Sequence, residues 1–570
     1  MPSWIDSAAV RMLGTVLVLA LAVSCGIVGV CEQDPDLGGG AAPRIARGPA
    51  APALEEHGDV VVSWEGPDGG VGDGAAGEGG EARLLSTGLV PGISAYEKMN
   101  VFERPDYNSA RIGYVRRGVR VLVRGPVDAP PCGDTGQLWF QLEEGGYVCA
   151  GKGLLIGAPL SAYLYVPPPP AFDKPVPYRY ARVRRNRTPV YKRLPTREEV
   201  QEVRDFLFPP PPDAGLDGGP DGGGAPDEDA GLVEPPPVVD DLGDLGEGVP
   251  APPPVEAPAT PSDGPDAGPT DAGPEDAGFS DADRELLQRG PRHRLLVRVL
   301  MSGFTVALAG LERHEGRSWY RTLDGGFVDD DAIGMIDVRD ERIGRTLDAT
   351  TTLPVGIVTG RSARVYAKNA REEIVPEGTL GKFASFAITG EERRGERRFW
   401  ATTEGKYVSH QRGIVVVEKL DPPRAVGRWD KWIVVDLTLQ TLTAYEGPVP
   451  VFVTLVSSGK EGFETPRGVF RILAKHVSNP MDDFALGEPY AIDEVPYVMY
   501  FQQNVALHGA FWHRGFGAVR SHGCVNLAPH DARWLFDWVH PFRPEGWYGV
   551  YVTDTDPGTI VWVRKSEPRD

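Results

Sequence analysis

The chain has 570 residues, room for roughly three or four domains of ordinary size. Its formal charge is −21, yet residues 209–283 alone hold 19 Asp and Glu and no Lys or Arg, so the remainder sums to about −2. No long basic stripe appears anywhere, which argues against a nucleic-acid partner.

The N-terminus reads as an export signal. Arg11 is its positive residue, Met12 to Ser24 is a mostly apolar run of 13 residues, and small Ser24 precedes Cys25. Such a run is too short to span a bilayer as a helix. The ending Leu-Ala-Val-Ser-Cys resembles a bacterial lipobox. That resemblance implies residues 1–25 as a signal peptide, lipidation at Cys25, and attachment to a membrane in the periplasm or cell envelope. An ordinary signal peptide cut nearby, or a retained anchor, is the alternative. Residues 26–92 are rich in Gly, Ala, Pro and acids and read as a disordered tether.

Export implies an oxidising compartment, where disulfides persist. Cys132 and Cys149 are expected to pair, with two buried thiols as the alternative; Cys31 has no evident partner.

From about residue 94 to 422 a weak repeat recurs three times. It opens with Val-aromatic-x-basic: Val101 to Arg104, Val190 to Arg193, and Val365 to Lys368. It closes with an aromatic pair and a Gly-x-aromatic-Val turn, at Trp139 to Val148, Trp319 to Val328 and Phe399 to Val408. Short alternating strands between Gly turns predict small β-barrels. The first copy resembles bacterial SH3-like modules. The modules are expected at 93–157, at 158–208 plus 284–335, and at 336–422. Their aromatic pairs suit either a barrel core or a groove for wall glycan, the core being preferred. The second copy is interrupted by 209–283, whose Pro runs and Asp-Ala-Gly triplets predict disorder.

Chemistry concentrates near the C-terminus. Ser521-His522-Gly523-Cys524-Val525-Asn526 follows His508-Gly509 by a loop. A thiol attacks only as thiolate, and an imidazole nearby can take its proton. Gly523 permits a tight turn that would aim the N–H groups of Gly523 and Cys524 at a developing oxyanion. A zinc site of His508, His513, His522 and Cys524 is the competing reading, but the spacing fits no standard zinc pattern. Neither metal nor organic cofactor is expected.

The whole stretch, with the Ser457-Ser458-Gly459 and Thr465-Pro466-Arg467-Gly468 turns upstream, resembles the L,D-transpeptidase catalytic domain of the YkuD type. The resemblance covers 428–554, with 555–570 as a C-terminal strand or tail. It implies a mainly all-β chain whose catalytic domain is a β-sandwich. It also implies Cys524 as nucleophile, His508 as general base, and supporting roles for Ser521, His522, Gly523 and Asn526. His513 is a rival base on a substrate loop, and Tyr497 or Tyr500 is a candidate substrate contact. The implied reaction joins peptidoglycan stem peptides: a tetrapeptide stem acylates Cys524, D-alanine leaves, and an acceptor amine makes a 3→3 cross-link. Water as acceptor would make a carboxypeptidase, and a protein lysine would make a wall-attachment enzyme. A reading of another class is an inactive peptidoglycan-binding lipoprotein.

Overall fold

Seven short strands with glycine-marked turns recur three times in the computed structural model, which describes residues 88–132, 136–157, 165–209, 280–349, 351–484 and 489–567. The signal segment with Cys25, Cys31, most of the expected tether and residues 210–279 lie outside the described residues. In the first unit the strands are β1 (Val90–Ser94), β2 (Lys98–Phe102), β3 (Arg111–Arg116), β4 (Arg120–Arg124), β5 (Trp139–Leu142), β6 (Tyr147–Cys149) and β7 (Leu154–Ile156). They pair antiparallel in the order β7-β1-β4-β5-β6-β2-β3. The second unit has β8 (Arg179–Val183), β9 (Thr188–Tyr191), β10 (Leu296–Leu300), β11 (Thr305–His314), β12 (Arg317–Thr322), β13 (Phe327–Asp329) and β14 (Ile333–Met335). Its order, β14-β8-β11-β12-β13-β9-β10, is the same topology.

After β15 (Arg345–Thr346) come the third unit's β16 (Val355–Val358), β17 (Ser362–Lys368), β18 (Ile374–Gly381), β19 (Ser385–Arg394), β20 (Arg397–Thr402), β21 (Tyr407–Ser409) and β22 (Ile414–Val417). They pair in the order β22-β16-β19-β20-β21-β17-β18, the topology again unchanged.

The repeated residues explain the repeated topology. Opening and closing motifs face each other across one ladder, as Phe102 with Tyr147, Tyr191 with Phe327, and Tyr366 with Tyr407. The opening aromatic meets the closing Trp139, Trp319 or Phe399 edge-on, with ring centroids 5.6, 5.5 and 5.1 Å apart. Those three closing aromatics are buried, so they are core and not the lining of a groove. Among the described residues, the end strands of each ladder do not pair with each other. The sheets of the three small β-units are open. The open edge has a use in the first unit, described below. Cys132 and Cys149 form a disulfide, packed with Phe102 and Trp139.

The interruption of the second unit is flanked by two helices that the alternating-strand reading did not predict. These are α1 (Arg197–Leu207) and α2 (Asp281–Arg289), each opened by a capping box, at Thr196 with Glu199 and at Ser280 with Asp283. Residues 281–283, expected to be disordered, lie in α2. Arg187 grips both helices, donating to Asp283 at 2.6 Å and to the Leu207 carbonyl at 2.8 Å.

The remaining strands are β23 (Lys431–Asp436), β24 (Thr441–Glu446), β25 (Val449–Leu455), β26 (Gly468–Arg471), β27 (Ala474–Asp483), β28 (Tyr490–Gln502), β29 (Val505–Gly509), β30 (Val525–Leu527), β31 (Gly549–Tyr551) and β32 (Ile560–Arg564), with helix α3 (Pro529–Trp538) after β30. One sheet runs β15-β25-β24-β23-β32-β26. The other runs β31-β27-β28-β29-β30. Ile433, Leu442 and Phe452 of the first sheet pack against Val477, Met499 and Leu507 of the second, with Leu535 and Phe536 of α3 in the same core. This is a β-sandwich. Two boundaries differ from the sequence reading. β32 is no tail: it lies between β23 and β26, because Ile560, Val561 and Val563 are all buried there. β15, expected in the third repeat, joins the catalytic sheet at β25.

The first two units dock on the second sheet. β3 pairs with β31, so the first unit's open edge continues into the sandwich, and a Cβ on Gly113 would stand 2.5 Å from the Gly549 carbonyl oxygen. β11 of the second unit meets β28 at Thr305 and Ile492. Where the three meet, Arg116 donates to Glu494 at 2.6 Å, and both side chains are nearly buried at 13% and 12% exposure. Burial works against the Arg116 charge, but Tyr548 and Glu494 outweigh it and raise its pKa. Tyr180 donates to the Glu494 carbonyl, and Tyr178 meets Tyr548.

Replacing Arg116 by Met should therefore cost about 3–5 kcal/mol by stranding the Glu494 carboxylate. Adding Glu494→Gln should recover part of that loss. Chemical denaturation of the single and double variants measures both.

A second expectation concerns pH. Asp531 on α3 accepts from Gly344 and Thr454, and burial raises its pKa from 3.8 to about 6. The folded state then binds more protons than the unfolded between those values, so this group's contribution to stability falls as pH rises and levels off above 6. The stability of the wild type relative to Asp531→Asn should drop by about 2.4 kcal/mol from pH 4 to pH 7 in urea melts.

Candidate active site

Backbone pairing assembles the site before any side chain is considered. β29 and β30 run parallel, with His508 opposite Asn526. The end of β25 ties in through Ser457, whose N–H donates to the Asn526 carbonyl at 2.9 Å while Asn526 N–H donates back at 2.8 Å. Lys460 N–H donates to the Ser521 carbonyl at 2.9 Å. The Ser-Ser-Gly turn and the Ser521-to-Asn526 segment are thus two lips of one ladder. Thr465 locks them together: it accepts from Gly459 N–H at 2.9 Å and donates to the Gly523 carbonyl at 2.8 Å. Both upstream turns of the sequence motif act as braces for the cysteine segment.

The turn at Cys524 is set by Gly523, with φ +114°, a conformation that suits glycine alone. Ser521 Oγ donates to the Cys524 carbonyl and accepts from Gly523 N–H. That second bond corrects one expectation. The Gly523 N–H is directed at Ser521, not at an oxyanion site. A serine hydroxyl two residues back outcompetes an empty direction for a backbone donor.

His508 is buried on β29, and its Nδ1 lies 3.2 Å from the Gly509 carbonyl oxygen. A carbonyl can only accept, so Nδ1 carries the proton and the neutral ring keeps its lone pair on Nε2. Trp512 stacks on this ring at 5.8 Å. The Cys524 sulfur lies 3.7 Å from the Asn504 carbonyl oxygen and is partly exposed. His508 and Cys524 line one narrow slot of about 40 Å³ together with Ser521, His522, Asn526, Met481, Tyr490, Ile492 and Trp512. The His522 ring stacks on Tyr490 and meets Phe463 edge-on, which places it in the slot wall.

His513 lies elsewhere. It is 4% exposed, where a solvent-facing loop was expected. Its Nδ1 accepts from Gly515 N–H at 3.1 Å, and its Nε2 meets the Asn526 side-chain amide at 3.1 Å. Nδ1 closes the 510–516 loop on itself, and Nε2 ties the loop to β30. Asn526 thereby acts on this loop as well as on the ladder. Tyr497 is fully buried against Phe536, and burial raises its pKa to about 12, so it makes no contact in the slot. Tyr500 is half-buried beside Cys524, its hydroxyl held by Asn479 at 3.0 Å. Among the described residues no cluster of three His, Cys, Asp or Glu side chains is arranged to hold a metal ion. Cys25 lies outside the described residues.

Four further slot residues were not singled out in the sequence: Trp512, Met481, Tyr490 and Ile492. Trp512 had a signal, as the centre of an aromatic run four residues after His508. Tyr490 had none, because its place depends on the β27–β28 pairing.

Residues 430–563 match the family model for the YkuD L,D-transpeptidase catalytic domain. L,D-transpeptidase 1 of Mycobacterium tuberculosis is 29% identical over 174 residues, which is 29% of this chain and 65% of that protein. The chain thus spans just under two thirds of that relative's length. Among solved structures, an L,D-transpeptidase of Stackebrandtia nassauensis is 26% identical, covering 25% of this chain and 58% of the other at a TM-score of 0.19. The catalytic domain of an Enterococcus faecium L,D-transpeptidase is 26% identical, covering 24% of this chain and 98% of the other, also at 0.19. With the ordered motifs, the sandwich and the family match in agreement, residues 430–563 belong to the L,D-transpeptidase catalytic domains of the YkuD family.

Proposed function

We propose that the chain is a peptidoglycan L,D-transpeptidase working through Cys524. The observation that carries this reading is the slot in which Cys524 and His508 stand together, with the His508 lone pair on Nε2. His508 takes the thiol proton, and the sulfur attacks the carbonyl ahead of the terminal D-alanine of a tetrapeptide stem. A C–S bond forms, the C–N bond breaks, and the same proton passes to the departing amine. The resulting thioester is then attacked by the side-chain amine of a second stem. The amine's proton goes to His508 and on to the released thiolate. With Gly523 N–H committed to Ser521, oxyanion stabilisation rests on Cys524 N–H and on donors brought by the bound substrate. A lipid on Cys25 would hold the enzyme at a membrane in the cell envelope, and wall glycan would be the ligand sought by the N-terminal repeats.

Two measurements test this reading. Cys524→Ser should abolish 3→3 dimers in digests of peptidoglycan incubated with the enzyme while the melting curve stays in place. Serine is the weaker nucleophile at a site built for a thiol. Undiminished dimers would end the assignment.

The base is tested by iodoacetamide alkylation of Cys524 against pH. His508→Gln should move the profile to higher pH and slow alkylation near neutrality about tenfold or more. His513→Gln should leave the profile's position unchanged, because both His513 nitrogens are spent on the loop. A shift confined to His513→Gln would overturn the choice of base.

A further inference from the structure

The slot at Cys524 has a much larger neighbour. An open cleft of about 790 Å³ lies on the other side of Trp512, which lines both spaces. One wall is catalytic, the 510–516 loop and the start of α3. The opposite wall is not. It comes from β8, from the Ser302-Gly303 turn and from the 334–343 segment, all outside the family domain. This volume is in the range of spaces that hold peptides and comparable ligands. The slot, at about 40 Å³, has room for the atoms of one acyl group at the sulfur and not for a second strand.

The charges of the cleft are unbalanced. Arg514 is neutralised by Glu341, with guanidinium nitrogens 2.6–3.0 Å from the carboxylate oxygens. Arg182, Arg184 and Arg339 also line the space, against one further acid, Asp337. Among the described residues Arg182 has neither an ion pair nor a side-chain hydrogen bond. It is partly buried on β8, and burial alone depresses its pKa, the direction expected of a cation with no carboxylate beside it. A guanidinium held in a cleft without a counter-charge matches a carboxylate in planar, two-pronged geometry. The apolar floor of Phe511, Trp512 and Ile336 suits the body of such a ligand.

We infer that this cleft is the acceptor site, taking a peptide that carries free carboxylates, with Arg182 as the principal anion contact and Arg339 and Arg184 supporting it. The inference rests on the transpeptidase reading. It assigns the second repeat unit a part in substrate recognition. The acceptor lies along the cleft with its amine reaching past Trp512 to the thioester. Aminolysis then needs nothing more: the N–C bond forms, the C–S bond breaks, and the proton goes to the thiol through His508.

The test separates the two half-reactions in the full-length protein. Acylation is read without acceptor, as the mass of the adduct formed with a carbapenem or the release of D-alanine from a tetrapeptide. Transfer is read as the acceptor KM. Arg182→Gln with Arg339→Gln should raise the acceptor KM about tenfold or more and leave acylation within twofold of wild type. Arg182→Lys should fall between. Amidating the acceptor's carboxylates should cost wild type a similar factor and cost the double variant little. Binding without chemistry gives an independent readout: in Cys524→Ala, calorimetry should find the free-acid peptide bound and Arg182→Gln weakening it. If acylation is intact and the acceptor KM is unchanged in the double variant, the acceptor site is overturned and the transpeptidase reading stands. If wild type is never acylated, the transpeptidase reading falls and takes this inference with it.

Discussion

The docking of the first two β-units on the catalytic sandwich turns on a single buried ion pair, Arg116 with Glu494. Arg116 comes from β3, at the open edge of the first unit, and Glu494 from β28, the longest strand of the site-bearing sheet. Around them Tyr178 and Tyr180 of the second unit, with Ser478 and Tyr548 of the sandwich, add further hydrogen bonds, although the Arg116 Nε is buried without one. Taking two charges out of water is costly, and attraction repays it only with close geometry and supporting hydrogen bonds. Here the partners come from three separate stretches of chain. These contacts form together only when all three are docked, so they reward one arrangement over many.

That constraint reaches the catalytic slot through β28. The strand begins at Tyr490, which stacks on His522, passes Ile492, which lines the slot and meets β11, and then reaches Glu494. The same few residues of backbone carry both the docking charge and a wall of the site. Trp512 makes the corresponding link on the other side, with one face on the His508 ring and the other toward the large cleft. The candidate site residues are held by turns within the family domain, but their surroundings are shaped by units outside it.

Sequence patterns revealed what is local and repeated. The Val-aromatic and aromatic-pair motifs were visible because each stands beside a Gly turn, and they pair across one ladder in all three units. Cys524, His508 and the bracing turns were legible as an ordered set of motifs. What escaped depended on distant partners. β32 was read as a strand or tail outside the catalytic domain, because its neighbour β23 is 128 positions earlier, Ile560 lying beside Trp432. β15 has two residues and no pattern to read. The burial of His513 follows from hydrogen bonds to Gly515 and Asn526, which no spacing rule announces. The helices α1 and α2 did leave a signal, a Thr or Ser followed three residues later by an acid, but it was masked by the Pro-rich run between them.

The position of β32 also orders events in time. It fills the gap between β23 and β26, so the first catalytic sheet is two separate pieces until residue 564 has been synthesised. The strands of the three repeat units all precede residue 418, and each unit can pair its own ladder while the ribosome is still working. The slot at Cys524 is therefore the last part of the described structure to gain a complete scaffold. A chain stopped short of β32 would carry every candidate site residue and still lack the strand that joins the two pieces of the first sheet.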